Sequence, residues 1–352
     1  MKSIATMALQ DGMVLAGDVY SFKGKLIAKE AEKVNKDLIA RLSRHSIMCV
    51  DIKEPEDFAA TRYERIRLSR SFKQFETVYS NNLSAYKFMI DSFLKDHTPV
   101  NTSYLLSIHD QIFACCKTEE QILDMLYHLV PNEDEMTYAH MLNAALISTV
   151  FGRWIGLTGN DLKLFTLCGF FYDIGKLCLP EELIWKPDKL TTEETLLMQT
   201  HTFLGYELLR HQNINERIKT CTLHHHERCD GSGYPNGLKG DAIDTFSKYI
   251  SIVDVYEAMT SARVYRQSLT PFQVIRNFER QGFEKYDILI LKTILGKIAE
   301  SQIGRTVRLS NDVEGDVLFI NPDALSCPLI KTADGKIFDL LRFPDVTVQA
   351  VL

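Results

Sequence analysis

The stretch His225-His226-Glu227-Arg228-Cys229-Asp230-Gly231-Ser232-Gly233-Tyr234-Pro235-Asn236-Gly237-Leu238-Lys239-Gly240 packs three chemical signals into one short segment. Two adjacent imidazoles open it, a Gly-rich loop follows, and an aromatic ring and a proline sit inside that loop. Gly231, Gly233 and Gly237 permit positive φ and close approach of the backbone. Tyr234 and Pro235 would place a rigid ring over a pocket. Taken by itself the loop reads equally well as a surface turn, because Gly, Pro and Asp favour turns without any ligand.

Further metal-type side chains stand in helix-like apolar runs on either side. They are His140 in TYAHMLNAAL, Asp173 in FFYDIGK, His201 in MQTHTFLG and Asp254 in SIVDVYEAM. A buried imidazole or carboxylate costs free energy unless it is paired or coordinated. One such residue is usually a satisfied core group. A set that includes His225 and His226 and recurs at helix-length intervals suggests several helices converging on one centre. Nitrogen and carboxylate ligands suit iron, manganese or zinc. Spacing alone leaves a metal site and a group of satisfied core residues both open. Arg263 and Arg266 follow Asp254 in TSARVYRQ. That pair can fork onto phosphate oxygens, or simply end a solvated helix. His211 and His224 read as bystanders.

Composition limits the rest. The chain has 352 residues, 45% hydrophobic and 24% charged, and a net charge of −6. That is an ordinary globular balance with room for a sizeable core. The negative balance argues against a broad grip on nucleic-acid polymers, though a small anion needs only local cations. The eight cysteines contain no CxxC pair, which disfavours a zinc ribbon. Most lie in apolar runs and read as buried thiols in a reducing compartment. The N-terminus has no apolar leader, and no run reaches the roughly 18–20 apolar residues of a membrane helix. A cytoplasmic protein without a membrane partner is expected.

Three textures follow one another. Residues 1–55 read as a small ββαβ domain, with strands in MVLAGDV, KLIAK and IMCVDI, a helix in EKVNKDLIARLSRH, and Gly24 in the first turn. Residues 56–117 read as a helical connector, either a solvated amphipathic helix or a dimerising surface. Residues 118–303 are strongly helical, and residues 304–352 return to strands with a hairpin signal at Asp334-Gly335. Within the helical part, Thr191 and Glu194 form a capping-box pattern. Asn215 suits a cap before ERIKTCTLHHH, and Thr270-Pro271 suits N-cap and N1 before FQVIRNFER.

The long motif HHExxDGxGYPxGLxG, followed by D-x-Y-(D/E)-A-(M/L)-T-S-x-R-x-Y-R, resembles the HD-GYP phosphodiesterases, a branch of the HD-domain superfamily. The resemblance covers roughly 118–303. It implies a mainly α fold, an HD-domain helical bundle, here with a small N-terminal α/β unit and a C-terminal β unit. It also implies two divalent metal ions, iron or manganese, and no organic cofactor. Their ligands carry over to His140, Asp173, His201, His225, His226 and Asp254, with Asp173 bridging. Lys176 matches a lysine near the scissile phosphate. Gly233, Tyr234 and Pro235 belong to the nucleotide pocket, and Arg263 and Arg266 match phosphate or guanine contacts. Asn143 stands where arginine is frequent, and Met136 where three-metal members carry glutamate, so no third ion is expected.

The chain departs from the family where His-Asp is required: it has Tyr172-Asp173. By family analogy one ion keeps Asp173, His201, His225 and His226. The other keeps only His140, Asp173 and Asp254. A phenol has a pKa near 10 and ligates divalent ions reluctantly. Tyr172 then binds as phenolate to ferric iron, or fills the space and leaves only one ion tightly bound. The resemblance implies hydrolysis of cyclic di-GMP to pGpG or GMP in bacterial signalling. The alternative is an impaired domain that senses the nucleotide, or a protein partner, through Tyr172's altered site. A homodimer or partner protein would use the N-terminal or connector segments. A third option, another phosphohydrolase of the wider superfamily, fits the loop less well.

Overall fold

Helices in this chain begin where the sequence supplies a capping side chain. Asn35, Asn101, Thr118, Asp244 and Asp287 each accept a backbone N–H in the first turn of the helix that follows. The capping box at Thr191 and Glu194 forms as the sequence predicts. So do the Asn215 cap and the Thr270 cap with Pro271 in the first turn. These observations come from a computed structural model that describes residues 2–58, 62–184, 186, 188–261 and 268–352. The chain divides into two compact units, Met1–Lys73 and Gln74–Leu352.

In the first unit, β1 (Lys2–Ala5) pairs antiparallel with β4 (Cys49–Ile52). A short hairpin joins β2 (Val19–Tyr20) to β3 (Leu26–Ala28), turning at Gly24 with φ +74°. Helix α1 (Lys36–Arg44) lays Leu38 and Leu42 on a core of Leu15, Ile27, Val34, Val50 and Ile52. Nothing in the residue pattern of Lys2–Ala5 marks β1. The residue pattern predicts a strand over Met13–Val19, where the structure has only isolated bridges at Val14 and Leu15 before β2. Asp18 accepts the Glu30 N–H through its carboxylate at 2.8 Å, a side-chain bond that replaces a regular ladder there. Helix α2 (Arg62–Leu68) follows.

The second unit is mainly helical. Helix α3 (Arg70–Asp96) carries Phe75, Tyr79, Leu83, Tyr86, Ile90 and Phe93, all buried, along one face at helical spacing. Helices α4 (Thr102–Phe113) and α5 (Glu119–His128) lead to the central pair, α6 (Met136–Trp154) and α7 (Gly159–Phe171). A Cβ at Gly169 would lie 2.6 Å from the Ala145 backbone, so only glycine lets α6 and α7 approach this closely. The chain continues through α8 (Glu181–Ile184), α9 (Thr192–Gln199), α10 (His201–Leu209), α11 (Glu216–His224) and α12 (Thr245–Thr260). Helices α13 (Pro271–Gln281) and α14 (Ile288–Glu300) complete the bundle.

An antiparallel five-stranded sheet ends the chain. Its strands are β5 (Thr306–Leu309), β6 (Glu314–Phe319), β7 (Leu329–Thr332), β8 (Ile337–Asp339) and β9 (Val348–Val351), in the order β8-β7-β6-β5-β9. The hairpin at Asp334-Gly335 joins β7 to β8, with Gly335 at φ +83°. Arg305 forks onto Asp124 of α5 with two 3.0 Å bonds, tying the start of the sheet to the bundle.

The cysteines differ from expectation. Only Cys168 and Cys221 are buried, while Cys49 and Cys178 are exposed and the other four are partly exposed. An apolar neighbourhood in sequence does not decide which side of a helix or strand a thiol occupies. Among the described residues, no helix is long and apolar enough to cross a membrane.

Candidate metal centre

Asp173 stands just after α7 and is fully buried. Its two oxygens face different groups. Oδ1 lies 3.2 Å from His201 Nε2 and 3.5 Å from His225 Nε2. Oδ2 lies 3.1 Å from His140 Nε2 and 2.5 Å from Lys176 Nζ. Asp254 Oδ1 of α12 comes within 3.3 Å of the same His140 nitrogen. Among the described residues, two groups could hold a metal ion. One is Asp173, His201, His225 and His226; the other is His140, Asp173 and Asp254.

Close backbone packing makes this convergence possible. Gly175, in the 3-10 turn Ile174–Cys178, passes against the start of α10. A Cβ there would lie 1.9 Å from the His201 carbonyl oxygen and 2.5 Å from Gly205 N. Glycine at both positions brings His201, the first residue of α10, beside Asp173.

The first group fits a cation. His201 Nδ1 donates to the Met198 carbonyl at 2.7 Å, and His225 Nδ1 to the Thr222 carbonyl at 3.0 Å. Those bonds turn both Nε2 lone pairs inward, where they stand 3.2 Å apart. Burial pushes His225 and His226 below the ordinary histidine value, so both stay neutral. Burial opposes ionisation of Asp173, but the Lys176 ammonium and the His140 imidazole outweigh it and hold the carboxyl well below its usual range. Its Oδ1 is buried with no hydrogen-bond donor. Converging lone pairs and an unpartnered carboxylate oxygen are the surroundings a divalent ion satisfies.

The second group is different. His140 Nδ1 donates to Glu257, which also accepts from Asn143 Nδ2 at 2.9 Å and from the Ser261 hydroxyl. His140 Nε2 has the phenol oxygen of Tyr172 at 2.6 Å. Tyr172 is fully buried, and burial first, then the charges of Asp254, Asp173 and Glu257, push its phenol well above the ordinary value. It stays protonated and neutral in these surroundings. For the His140 imidazole, burial is outweighed by Glu257, Asp173 and Asp254, and its pKa rises. A charged ring donates from Nε2 to the phenol oxygen, and a neutral one accepts from it. In either case the nitrogen that would reach an ion is engaged with Tyr172.

A cleft of about 300 Å³ opens over both groups, lined by His140, Lys176, His201, His226, Tyr234 and Glu257 among others. The Tyr234 ring stacks on His226 with centroids 4.7 Å apart. Pro235 is exposed and does not line the cleft. Gly233 serves by absence of a side chain: a Cβ would lie 2.4 Å from the His226 carbonyl oxygen and 2.5 Å from Arg228 N. Arg263 and Arg266 lie outside the described residues. His211 and His224 belong to neither group.

Two carboxylates escaped the sequence reading. Glu257 orients His140. Glu227 is buried and accepts the backbone N–H groups of Asn236 at 2.7 Å and Leu238 at 2.9 Å, which pins the Gly-rich loop. The available signal was position: Glu227 adjoins the His pair, and Glu257 lies one turn after Asp254.

The family described as HD domain matches residues 120–290. Curated relatives include the cyclic di-GMP phosphodiesterase response regulator RpfG of Xanthomonas campestris, 33% identical over 47% of this chain and 45% of that protein. The cyclic di-GMP phosphodiesterase PA4108 of Pseudomonas aeruginosa is 28% identical over 66% of this chain and 56% of that protein. The 3'3'-cGAMP-specific phosphodiesterase 1 of Vibrio cholerae is 38% identical over 43% of this chain and 35% of that protein. The chain thus spans about half the length, or less, of these relatives. A solved structure of an HDGYP protein from Bdellovibrio bacteriovorus aligns over 84% of this chain and 99% of that one, at 15% identity and TM-score 0.45. The matched segment 120–290 includes all the described cleft residues named above.

Proposed function

We propose that the chain is a metal-dependent phosphodiesterase acting on cyclic di-GMP, yielding pGpG or GMP in bacterial second-messenger signalling. The observation that carries this reading is the pair of candidate ligand groups sharing the buried Asp173, with His140, His201 and His226 of those groups lining an open cleft. The cyclic di-GMP phosphodiesterases among the relatives support the substrate class. His140, Asp173, His201, His225, His226 and Asp254 would hold two divalent ions, iron or manganese. Bound there, such ions would activate water and stabilise charge on phosphorus. Asp173 keeps its negative charge between the groups. Lys176, 2.5 Å from Asp173 Oδ2 and on the cleft wall, is placed to stabilise the phosphate or protonate the leaving oxygen. Tyr234, stacked on His226 and held by the pinned loop, would form one wall for a nucleotide base.

The engagement of His140 Nε2 by Tyr172 favours a second reading, a cyclic-dinucleotide sensor with one tightly bound ion and little turnover. The test is paired. The chain, purified under reducing conditions, is assayed for ions per chain and for cyclic di-GMP hydrolysis with manganese and with ferrous iron. Turnover that Asp173→Ala abolishes supports the enzyme. Nucleotide binding without turnover, with turnover gained by Tyr172→His, supports the sensor. Absence of both metal and nucleotide binding overturns both.

A further inference from the structure

We propose that Asn143, oriented by the Tyr79 hydroxyl, is a positioning residue for the His140 half of the centre and acts through Glu257. The inference rests on the metal-binding reading above. Tyr79 of α3 donates to Asn143 Oδ1 at 2.7 Å, and Asn143 Nδ2 donates to Glu257 Oε1 at 2.9 Å. All three side chains are buried: 3% exposed for Tyr79, 4% for Asn143 and 2% for Glu257.

An amide has one accepting end and one donating end. With its oxygen occupied by Tyr79, Asn143 has only its NH₂ to offer Glu257, and flipping would set two acceptors against each other. One carboxylate oxygen of Glu257 is thereby fixed, and the other takes the His140 Nδ1–H. That bond sets the ring so that Nε2 faces Asp173 and Asp254. His201 and His225 are oriented by main-chain carbonyls instead. The two halves of the centre are therefore supported differently. One rests on helix backbone that any sequence would provide. The other rests on a side-chain sequence reaching back to α3, and removing a hydroxyl from α3 weakens that half alone.

Metal-stripped full-length chain is titrated with manganese by calorimetry, with bound ions counted in parallel. His140→Ala identifies the ion that depends on this half. Tyr79→Phe and, as a second variant, Asn143→Ala are expected to weaken that ion by roughly tenfold or more, leaving the other within about twofold. Tyr138→Phe is the control: its hydroxyl bonds Asp91 of α3 at 2.5 Å, joining the same two helices away from the Glu257 path. It should leave both affinities unchanged.

The proposal is overturned if the folded variants bind both ions as wild type does, or weaken both alike. A wild type that binds a single ion, or failure of both variants to fold, also overturns it. Because ion binding is read apart from hydrolysis, a chain silent towards cyclic di-GMP that still shows the selective loss refutes the phosphodiesterase and leaves this inference standing.

Discussion

The phenol oxygen of Tyr172 lies 2.6 Å from Nε2 of His140, the nitrogen that also faces Asp173 and Asp254. The motif resemblance leads one to expect histidine at this position, and the phenol that stands there instead engages the His140 nitrogen that would reach an ion. In Tyr172→Phe the competitor is gone. Manganese affinity of the His140 group should rise roughly tenfold, while the metal-free chain loses about 1 kcal/mol of stability from the missing hydrogen bond. Calorimetric titration and urea unfolding read the two effects, and an unchanged affinity would show that the phenol does not compete.

Glu227 holds the loop through two backbone N–H groups. In Glu227→Gln one accepting oxygen becomes a donor that must face a backbone N–H. A destabilisation of roughly 1–3 kcal/mol is expected. The loop that carries Tyr234 loosens with it, so KM for the dinucleotide should rise by about an order of magnitude with kcat moving less. An equal fall in kcat at constant KM would place Glu227 in the chemistry instead.

Two glycines should respond in opposite ways to alanine. At Gly175 the new Cβ meets the His201 carbonyl at 1.9 Å, a backbone contact that cannot yield without displacing α10. The cost should exceed about 3 kcal/mol, and metal binding at His201 should go with it. At Gly296 in α14 a Cβ meets nothing within 4 Å. There alanine should add about 0.5–1 kcal/mol. Thermal unfolding of both variants measures the contrast, which fails if Gly175→Ala melts near wild type.

His109 gives a pH dependence remote from the metal centre. It is buried, bonded to Thr149 Oγ1 at 2.9 Å and to Asp110 at 3.0 Å. Burial lowers its pKa, with Asp110 partly offsetting. The folded value thus lies below the unfolded value of about 6.5. Its share of stability is complete above about pH 6.5 and is lost as pH falls towards the folded value, because the unfolded chain takes up the proton first. In His109→Gln, the drop in urea midpoint from about pH 8 to about pH 5.5 should be smaller than in wild type. Parallel drops would exclude His109 as the source.

Much of this was legible in the residues. Caps at Thr191, Asn215 and Thr270 act locally, so their side-chain oxygens report helix starts without tertiary information. The same holds for Asp334-Gly335, whose turn geometry needs a residue that accepts positive φ. The six His and Asp residues stood out because buried polar groups in apolar runs require a partner, and the structure gathers them around Asp173. Glu227 and Glu257 were not legible, since a glutamate in a helix or loop is usually solvated and only the fold shows these two buried. The inward face of α3 was equally hidden: Tyr79 and Tyr86 look like ordinary amphipathic positions until Asn143 and the Phe170 carbonyl appear opposite their hydroxyls. The thiols misled for the complementary reason, as Cys49 and Cys178 share apolar segments but face outward.

Asp173 presents one oxygen to each of the two groups. If both groups take an ion, one carboxylate would make them a single thermodynamic unit. Filling either side would then alter the charge felt by the other, and by linkage the effect would be equal in both directions, typically about 1–3 kcal/mol. Ions per chain would then be a function of free-ion concentration rather than a fixed attribute. A chain isolated with one ion and a chain assayed with two would be the same protein at two points on one binding curve.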